Sequence, residues 1–196
     1  MEIPVIIVTF NSASTIQACI ESVYTHTVLA TPLITVIDNA SEDETVSLIQ
    51  TKFPEITLIV NKQNKGFAAA ANQGLITAYT EFVVLLNPDA ILENNAIDLC
   101  IQSLQQTPSS WCCGALVSNE EFIPRFPGLG KILFEQFFLH KLFPDAYHRF
   151  FFYSTQEVKQ STNLFEADYV NGALLCMRSE VLKTHGLLDE DFFLYG

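Results

Sequence analysis

Basic residues are scarce in this chain. Its 196 residues include 10 Lys and Arg against 22 Asp and Glu, which gives a formal net charge of -12. Because a nucleic-acid backbone attracts basic surfaces, this balance argues against nucleic acid as the main partner. An anionic nucleotide stays compatible with the charge, provided that a metal ion or a local basic spot binds it.

Targeting and redox signals are also missing. The start, Met1-Glu2-Ile3-Pro4, lacks the basic region of a signal peptide, and no apolar run is long enough to span a bilayer. The cysteines show no CxxC spacing. We therefore expect a cytoplasmic protein with reduced thiols, in which Cys112 and Cys113 are small core residues of a strand.

Two common phosphate-binding fingerprints are absent. No GxGxxG follows the first predicted strand, and no GxxxxGK[ST] occurs in the sequence. A dinucleotide-binding protein such as a reductase and a P-loop protein therefore lose support.

The chain is instead rich in apolar residues, arranged as alternating strands and helices. Apolar residues make up 49% and charged residues 16%, which suits one domain with an extensively buried sheet. The alternation predicts an α/β fold whose mostly parallel sheet has helices on both faces. The predicted strands are 3–9, 33–38, 57–60, 82–86, 111–117 and 167–178, and the predicted helices are 14–25, a short one after a capping box at 41–44, 67–79, 94–106 and 179–185.

The strand predicted at 82–86 leads into Asn87-Pro88-Asp89. Pro88 cannot continue a central strand, so the chain must turn there and expose Asp89 at the carboxyl edge of the sheet, where ligands of open α/β sheets bind. Asp89 could bind a hard cation, and a diphosphate could bind through that cation. The alternative is that Asp89 merely caps the helix that follows.

Other strands also finish in polar residues that would meet at this edge. Asp38 could accept hydrogen bonds from a base or a ribose, or it could be a turn residue, since Asp-Asn-Ala-Ser is a common turn composition. Lys65-Gly66 before a helix could meet an anion at the helix N-terminus, although this signal is weak in isolation.

A Phe-rich stretch with interspersed basic residues occupies 122–153. It predicts an amphipathic helix over 129–143, which either packs on the sheet or contacts an acceptor or an anionic membrane surface. The second alternative would place the protein peripherally on the inner face of the membrane, through residues 129–153.

The ordered series VTFNS, VIDNASED, NKQNKGFAAAANQG, VVLLNPDA, VNGALLCMR and GLLDEDFFLYG resembles the family 2 glycosyltransferases of the GT-A fold. Within them, it is most similar to the bacterial rhamnosyltransferase-like branch, and the resemblance covers nearly the whole chain. It implies one Rossmann-like GT-A domain in two halves. These are a nucleotide-sugar-binding half at 1–118 and a smaller, mixed acceptor-side half at 119–196.

The resemblance also implies roles for individual residues. Those expected to bind the nucleotide sugar are Thr9, Asn11, Asp38, Asn64, Lys65, Gly66, Asn72, Asn87 and Asp89. Asp89 would in addition bind Mg²⁺ or Mn²⁺, because Asn87 stands where the family's DxD motif has its first acidic residue. The acceptor side would include Asn171, Gly172 and Ala173, with Asp189 next to it.

The implied activity is inverting, metal-dependent transfer of a sugar, from dTDP-rhamnose or a UDP-sugar to a glycan or lipid-linked acceptor, in bacterial surface polysaccharide biosynthesis. In the family, FFLYG is usually followed by an acidic pair that supplies the catalytic base, whereas this sequence stops at Gly196. Asp189 is then the nearest candidate base. The alternative is a truncated, catalytically impaired domain that binds a nucleotide sugar better than it transfers one.

Overall fold

A computed structural model describes residues 1–117, 122–125, 128–154, 165–168 and 170–193 of the chain. The strands are β1 Glu2–Thr9, β2 Thr31–Asp38, β3 Thr57–Val60, β4 Phe82–Leu86, β5 Cys112–Gly114, β6 Phe122–Pro124, β7 Phe152–Ser154 and β8 Leu174–Arg178. The helices are α1 Ile16–His26, α2 Thr45–Lys52, α3 Phe67–Leu75, α4 Ala96–Gln106, α5 Leu129–Gln136, α6 Leu139–Leu142, α7 Pro144–Phe151 and α8 Ser179–His185.

Six strands form the main sheet, in the order β3-β2-β1-β4-β8-β5. The first four in this order run parallel to one another, and β8 is antiparallel to both β4 and β5. The predicted mostly parallel α/β sheet is therefore confirmed. The sequence pattern could not show that β8 is inserted between β4 and β5, because strand order depends on contacts far apart in the chain.

The sheet is covered by helices on both faces, as predicted. Alternate residues of a strand point to opposite faces. In β4, Phe82, Val84 and Leu86 therefore join a core with α1, α2 and α4, while Val83 and Leu85 join a second core with α3. All five β4 residues are buried, which explains why this strand reads as a continuous apolar run.

The chain divides into two compact units, one made of Met1–Ala115 with Gly172–Gly196 and the other of Leu116–Asn171. The predicted halves, 1–118 and 119–196, differ from this division because β8 lies in the main sheet although it is distant in sequence. The second unit contains the antiparallel pair of strands β6 and β7, with helices α5 to α7 between them in the sequence.

Several local predictions were wrong. The strands predicted at 111–117 and 167–178 are shorter, at Cys112–Gly114 and Leu174–Arg178, and the helix predicted at 67–79 ends at Leu75. The helix expected over 129–143 breaks at Phe138, whose φ of 56° is left-handed and cannot continue a right-handed helix. The capping box is not formed, since Ser41 bonds Asp38 and Asn11 and α2 begins at Thr45 without a side-chain cap. Cys112 is exposed rather than in the core.

All five cysteines are free thiols. Within the described residues, no helix combines the length and the apolar character needed to cross a bilayer.

Candidate functional site

The carboxyl ends of β1, β2, β3 and β4 lie along one edge of the sheet. Thr9 of β1 is in register with Asp38 of β2, which is in register with Val60 of β3. Backbone hydrogen bonds continue past the strands, because Asn39 N donates to Thr9 O at 2.7 Å and Asn61 N donates to Asp38 O at 2.9 Å. The loops that follow these strands are thus brought together, as the sequence predicted.

Asp38 is fully buried at this edge, and its carboxylate is bonded within the protein. Its Oδ1 accepts hydrogen bonds from Thr9 Oγ1 at 3.1 Å and from Ser41 Oγ, and its Oδ2 accepts one from Ser41 N at 2.9 Å. Thr9 is equally buried. In this arrangement Asp38 acts as a turn residue, and a direct contact of Thr9 or Asp38 with a nucleoside stays a prediction.

Asn11, which is exposed, is hydrogen-bonded to the same loop as Asp38. Its backbone N–H donates to Ser41 Oγ at 2.8 Å, and its side-chain Oδ1 accepts from Glu42 N at 2.8 Å. Asn11 has a φ of 52°, a left-handed conformation that Asn tolerates better than most residues. The loops after β1 and β2 are therefore bonded to each other, and Asn11 is exposed although Thr9 and Asp38 are buried.

Asn39 joins the loop after β2 to the loop between β3 and α3. Its Nδ2 donates to Asn64 Oδ1 at 2.8 Å and to Gly66 O at 3.1 Å. Its Oδ1 accepts from Asn61 Nδ2 at 3.2 Å and from Lys65 N at 3.0 Å. Asn39 is not among the residues predicted from the sequence to be functional, although it lies in the Asp-Asn-Ala-Ser segment.

Asp89 lies in the turn after β4 and is exposed. The turn is closed by a hydrogen bond from Ala90 N to Asn87 O at 3.2 Å. The cap of α4 is Asn95, so the alternative that Asp89 caps this helix is wrong. The pKa of the Cys19 thiol, on α1, is raised to about 12. The main cause is burial of the thiol, and the second cause is the nearby negative charge of Asp89.

The Asp89 carboxylate fits a role in binding a hard cation. It accepts no hydrogen bond from a described residue, so its oxygens are available to a ligand. The described residues contain no group of three or more His, Cys, Asp or Glu that could hold a metal. A cation at Asp89 would therefore take its other ligands from a bound diphosphate and water, which is usual for Mg²⁺.

Asn72 binds the segment after α8. Its Nδ2 donates to Leu188 O and to Glu190 Oε1, both at 2.9 Å, and its Oδ1 accepts from Leu188 N at 3.0 Å. Asn72 is buried, and each polar group of its amide has a partner inside the protein. Its predicted contact with a nucleotide sugar would therefore require this segment to move.

Gly66 also contacts the segment after α8, through Phe193. With a φ of +84°, it lies so close to Phe193 that a Cβ would be 2.7 Å from the Phe193 carbonyl oxygen. That oxygen accepts a hydrogen bond from Phe67 N at 2.7 Å. The first N–H of α3 is thus bonded to the protein itself, which weakens the interpretation of this helix N-terminus as an anion site.

One of the predicted acceptor-side residues, Ala173, is bonded to a predicted donor residue. Asn87 N donates a hydrogen bond to Ala173 O at 3.0 Å, so the start of β8 is fixed beside the turn that carries Asp89. Gly172 belongs to the same compact unit, whereas Asn171 belongs to the second unit. Asp189 is exposed, and its Oδ1 accepts from Asp191 N at 3.0 Å.

Two surface depressions lie away from these residues and do not contribute to the site. One, of about 480 Å³, is lined by Pro4, Pro32 and Thr57, which mark the amino-terminal edge of the sheet. The other, of about 160 Å³, lies between Trp111, Arg178 and Thr184.

Comparisons with known proteins indicate one family. Residues 5–168 match the family model "Glycosyl transferase family 2". A UDP-Glc:alpha-D-GlcNAc-diphosphoundecaprenol beta-1,3-glucosyltransferase of Escherichia coli is 25% identical over 136 residues, which are 68% of this chain and 54% of that protein. A chondroitin synthase of Pasteurella multocida is 26% identical over 130 residues, 60% of this chain and 13% of that protein.

Solved structures show the same fold at low identity. A mannosyltransferase of Pyrobaculum calidifontis, in complex with GDP-Man and Mn²⁺, matches 96% of this chain and 48% of its own with a TM-score of 0.64 and 19% identity. TarS 1-349 of S. aureus, in complex with UDP-GlcNAc, matches 64% of this chain and 37% of its own with a TM-score of 0.51 and 20% identity. The chain spans about half the length of the first relative in each comparison. Because the family model covers most of its length, the chain belongs to glycosyl transferase family 2.

Proposed function

We propose that this chain binds a nucleotide-diphospho-sugar at the carboxyl edge of β1 to β4, for transfer of the sugar to a glycan or lipid-linked acceptor in bacterial surface polysaccharide synthesis. The observation that carries the proposal is that Asp89, exposed and not hydrogen-bonded to any described residue, lies at the edge of the sheet where four parallel strands end. The printed names of the relatives support it, since they mention UDP-glucose, GDP-mannose and UDP-GlcNAc. We keep dTDP-rhamnose and UDP-sugars as the donors to test first.

Asp89 would hold Mg²⁺ or Mn²⁺, which would offset charge on the departing nucleoside diphosphate. Lys65, exposed in the neighbouring loop, would contact a phosphate directly. Asn11 and Asn64 would orient the nucleoside and the sugar at the same edge.

The transfer is proposed to be inverting. It then needs a carboxylate to take the proton of the acceptor hydroxyl as that oxygen attacks the anomeric carbon. Asp189 is the candidate on the segment that Asn72 holds, and its exposure leaves it accessible to an acceptor.

Contact with a membrane surface is a further part of the proposal. Helices α5 to α7 contain no buried residue. In the region 129–151, Leu129, Phe137, Phe138, Leu142 and Phe150 are each more than 60% exposed. Such a surface would attach the chain to the membrane that contains a lipid-linked acceptor.

Thermal unfolding with a panel of dTDP-, UDP- and GDP-sugars, with and without Mn²⁺, tests the binding. A ligand at 100 times its dissociation constant should stabilise the native state by about 2.7 kcal/mol. For a domain of this size, that corresponds to a rise in Tm of about 5 to 10 °C. If no nucleotide sugar raises the Tm with Mn²⁺ present, the proposed function is wrong.

The variant Asp89→Ala tests the metal site. It should abolish the Mn²⁺-dependent part of the shift, whereas Glu93→Ala, which removes an exposed carboxylate four residues later, should leave it unchanged. Equal nucleotide affinity of wild type and Asp89→Ala with Mn²⁺, measured by calorimetry, would contradict the assignment. A transfer assay with Asp189→Asn then decides whether Asp189 is the base, because retention of turnover would exclude it.

A further inference from the structure

We propose that Asn39 is a positioning residue, which holds the loop between β3 and α3 so that Lys65 points its charge at a nucleotide diphosphate. The inference rests on the proposed function for its ligand. It goes beyond that function by assigning the geometry of the donor loop to one buried side chain outside the residues expected to touch the ligand.

The side-chain amide of Asn39 forms four hydrogen bonds with the loop between β3 and α3. Both the oxygen and the nitrogen of its amide have two partners, and all four partners belong to residues 61–66. The side chain is only 3% exposed. An amide is needed here, because one end must accept hydrogen bonds and the other must donate them, and no aliphatic or carboxylate side chain of this size does both.

These hydrogen bonds fix the backbone on both sides of Lys65. Asn39 Oδ1 binds the backbone N–H of Lys65, and Asn39 Nδ2 binds the backbone carbonyl of Gly66. In addition, Gly66 N donates a hydrogen bond to Asn64 Oδ1 at 2.9 Å. The peptide groups on both sides of the Lys65 Cα are therefore fixed, and the direction in which its side chain leaves the backbone is fixed with them.

The loops at the carboxyl edge of the sheet contain more acidic than basic residues. In the loops after β1, β2, β3 and β4, the basic residues are Lys62 and Lys65, whereas Asp43, Glu42, Glu44, Asp89 and Glu93 are acidic. A dianionic diphosphate approaching this edge needs a fixed positive charge, because a chain with a net charge of -12 otherwise repels it. Lys65 is exposed and forms no ion pair with a described residue, so its ammonium group is available.

A double-mutant cycle tests this inference. The affinity of the best nucleotide found in the thermal panel is measured by calorimetry with Mn²⁺ for wild type, Lys65→Ala, Asn39→Ala and the double variant. Lys65→Ala should weaken binding about tenfold, the size of one charge-assisted hydrogen bond. Asn39→Ala should weaken binding to a similar extent in the wild-type background and have little effect in the Lys65→Ala background, since it acts through Lys65. Equal losses in both backgrounds would overturn the inference.

A second readout does not depend on a ligand. Lys62 and Lys65 are trypsin sites, so release of the loop should speed cleavage after Lys65 at least several-fold relative to cleavage after Lys183 in the same molecule. Gln63→Ala, an exposed change in the same loop, should leave both rates as in wild type. If Asn39→Ala does not fold, Asn64→Ala removes one arm of the network and should give the same pattern at smaller size. An unchanged cleavage rate after Lys65 in the folded variant would overturn the positioning role.

The two measurements separate the inference from the proposed function. If wild type binds no nucleotide but Asn39→Ala releases the loop, the proposed function fails and the structural role of Asn39 stands without its ligand. If wild type binds and Asn39→Ala binds equally well, the inference fails and the proposed function stands.

Discussion

Asp38 and Asp89 lie at the carboxyl ends of the two strands that flank β1, but the contacts of their carboxylates differ. Asp38 is fully buried and accepts three hydrogen bonds from its neighbours. Asp89 is exposed and accepts none from a described residue. A carboxylate whose oxygens are already bonded has little to gain from a cation, whereas an unbonded one can contribute charge and lone pairs. This difference is the reason for assigning the metal to Asp89.

Gly66 illustrates how a residue of a ligand-binding motif can serve the fold. Its φ of +84° disfavours any residue with a Cβ, and a Cβ would also lie 2.7 Å from the Phe193 carbonyl oxygen. Gly66→Ala should therefore lower the free energy of unfolding by about 1 to 3 kcal/mol. Denaturant unfolding measures this, with Gly172→Ala as the control, because a Cβ at Gly172 would meet no atom within 4 Å. Equal stability of both variants would contradict the close approach of Phe193.

Much of this residue-level detail could not be predicted from the sequence. The exposure of Asp89 follows from Pro88, which forces the chain to turn, and this local effect is visible in the sequence. The hydrogen bonds of the Asn72 amide go to Leu188 and Glu190, which are more than a hundred residues away in the sequence. The four hydrogen bonds of the Asn39 amide depend on the register of β2 and β3, which places residue 39 beside residues 61–66.

At the scale of elements, the parallel strands of the main sheet were predicted more accurately than the helices of the second unit. β3 and β4 have the predicted bounds, because their apolar residues are short runs ended by polar loops. Around 129–143 the apolar pattern continues without interruption, and the break at Phe138 leaves no mark in it. Apolar periodicity reports which face is apolar but not where a helix ends when no glycine or proline marks the end.

The packing of α3 on the sheet makes a prediction about glycine at this scale. A Cβ on Gly74 would lie 2.6 Å from Ile6 Cγ2 and 3.0 Å from Ile37 Cδ1, so α3 lies directly on β1 and β2. Gly74→Ala should then lower the free energy of unfolding by about 1 to 3 kcal/mol through overpacking.

A helical glycine in α5 provides the matched control. A Cβ on Gly130 would meet ordinary contacts with Phe151, at 3.8 Å or more. Gly130→Ala should be neutral or stabilise by up to about 1 kcal/mol, the usual gain from replacing glycine by alanine in a helix. Effects of the same sign and size in both variants, measured by denaturant unfolding, would show that α3 does not approach the sheet this closely.

At the scale of the whole molecule, apolar surface and charge are unevenly distributed. The first unit buries its apolar residues between sheet and helices, and most acidic residues are on its surface. Residues 129–153 instead expose several aromatic and aliphatic side chains and carry three basic residues, Lys131, Lys141 and Arg149, against the acidic Glu135 and Asp145. Exposed apolar patches of this kind mark interaction sites, and the mixture of aromatic and basic side chains suits an anionic lipid surface.

Co-sedimentation with lipid vesicles tests the membrane contact. The chain should bind vesicles that contain anionic phospholipid more strongly than neutral ones. The double variant Phe137→Ser with Leu142→Ser should lose at least about tenfold in partitioning, since burying each side chain is worth roughly 1.5 to 3 kcal/mol at full insertion. Both side chains are about 70% exposed, so their removal should leave the fold intact. A matched pair on the first unit, Ile76→Ser with Tyr79→Ser, removes side chains exposed by 65% and 88% and should bind vesicles like wild type. Equal losses in both double variants would mean that binding follows general surface hydrophobicity, and residues 129–153 would then have no specific role at the membrane.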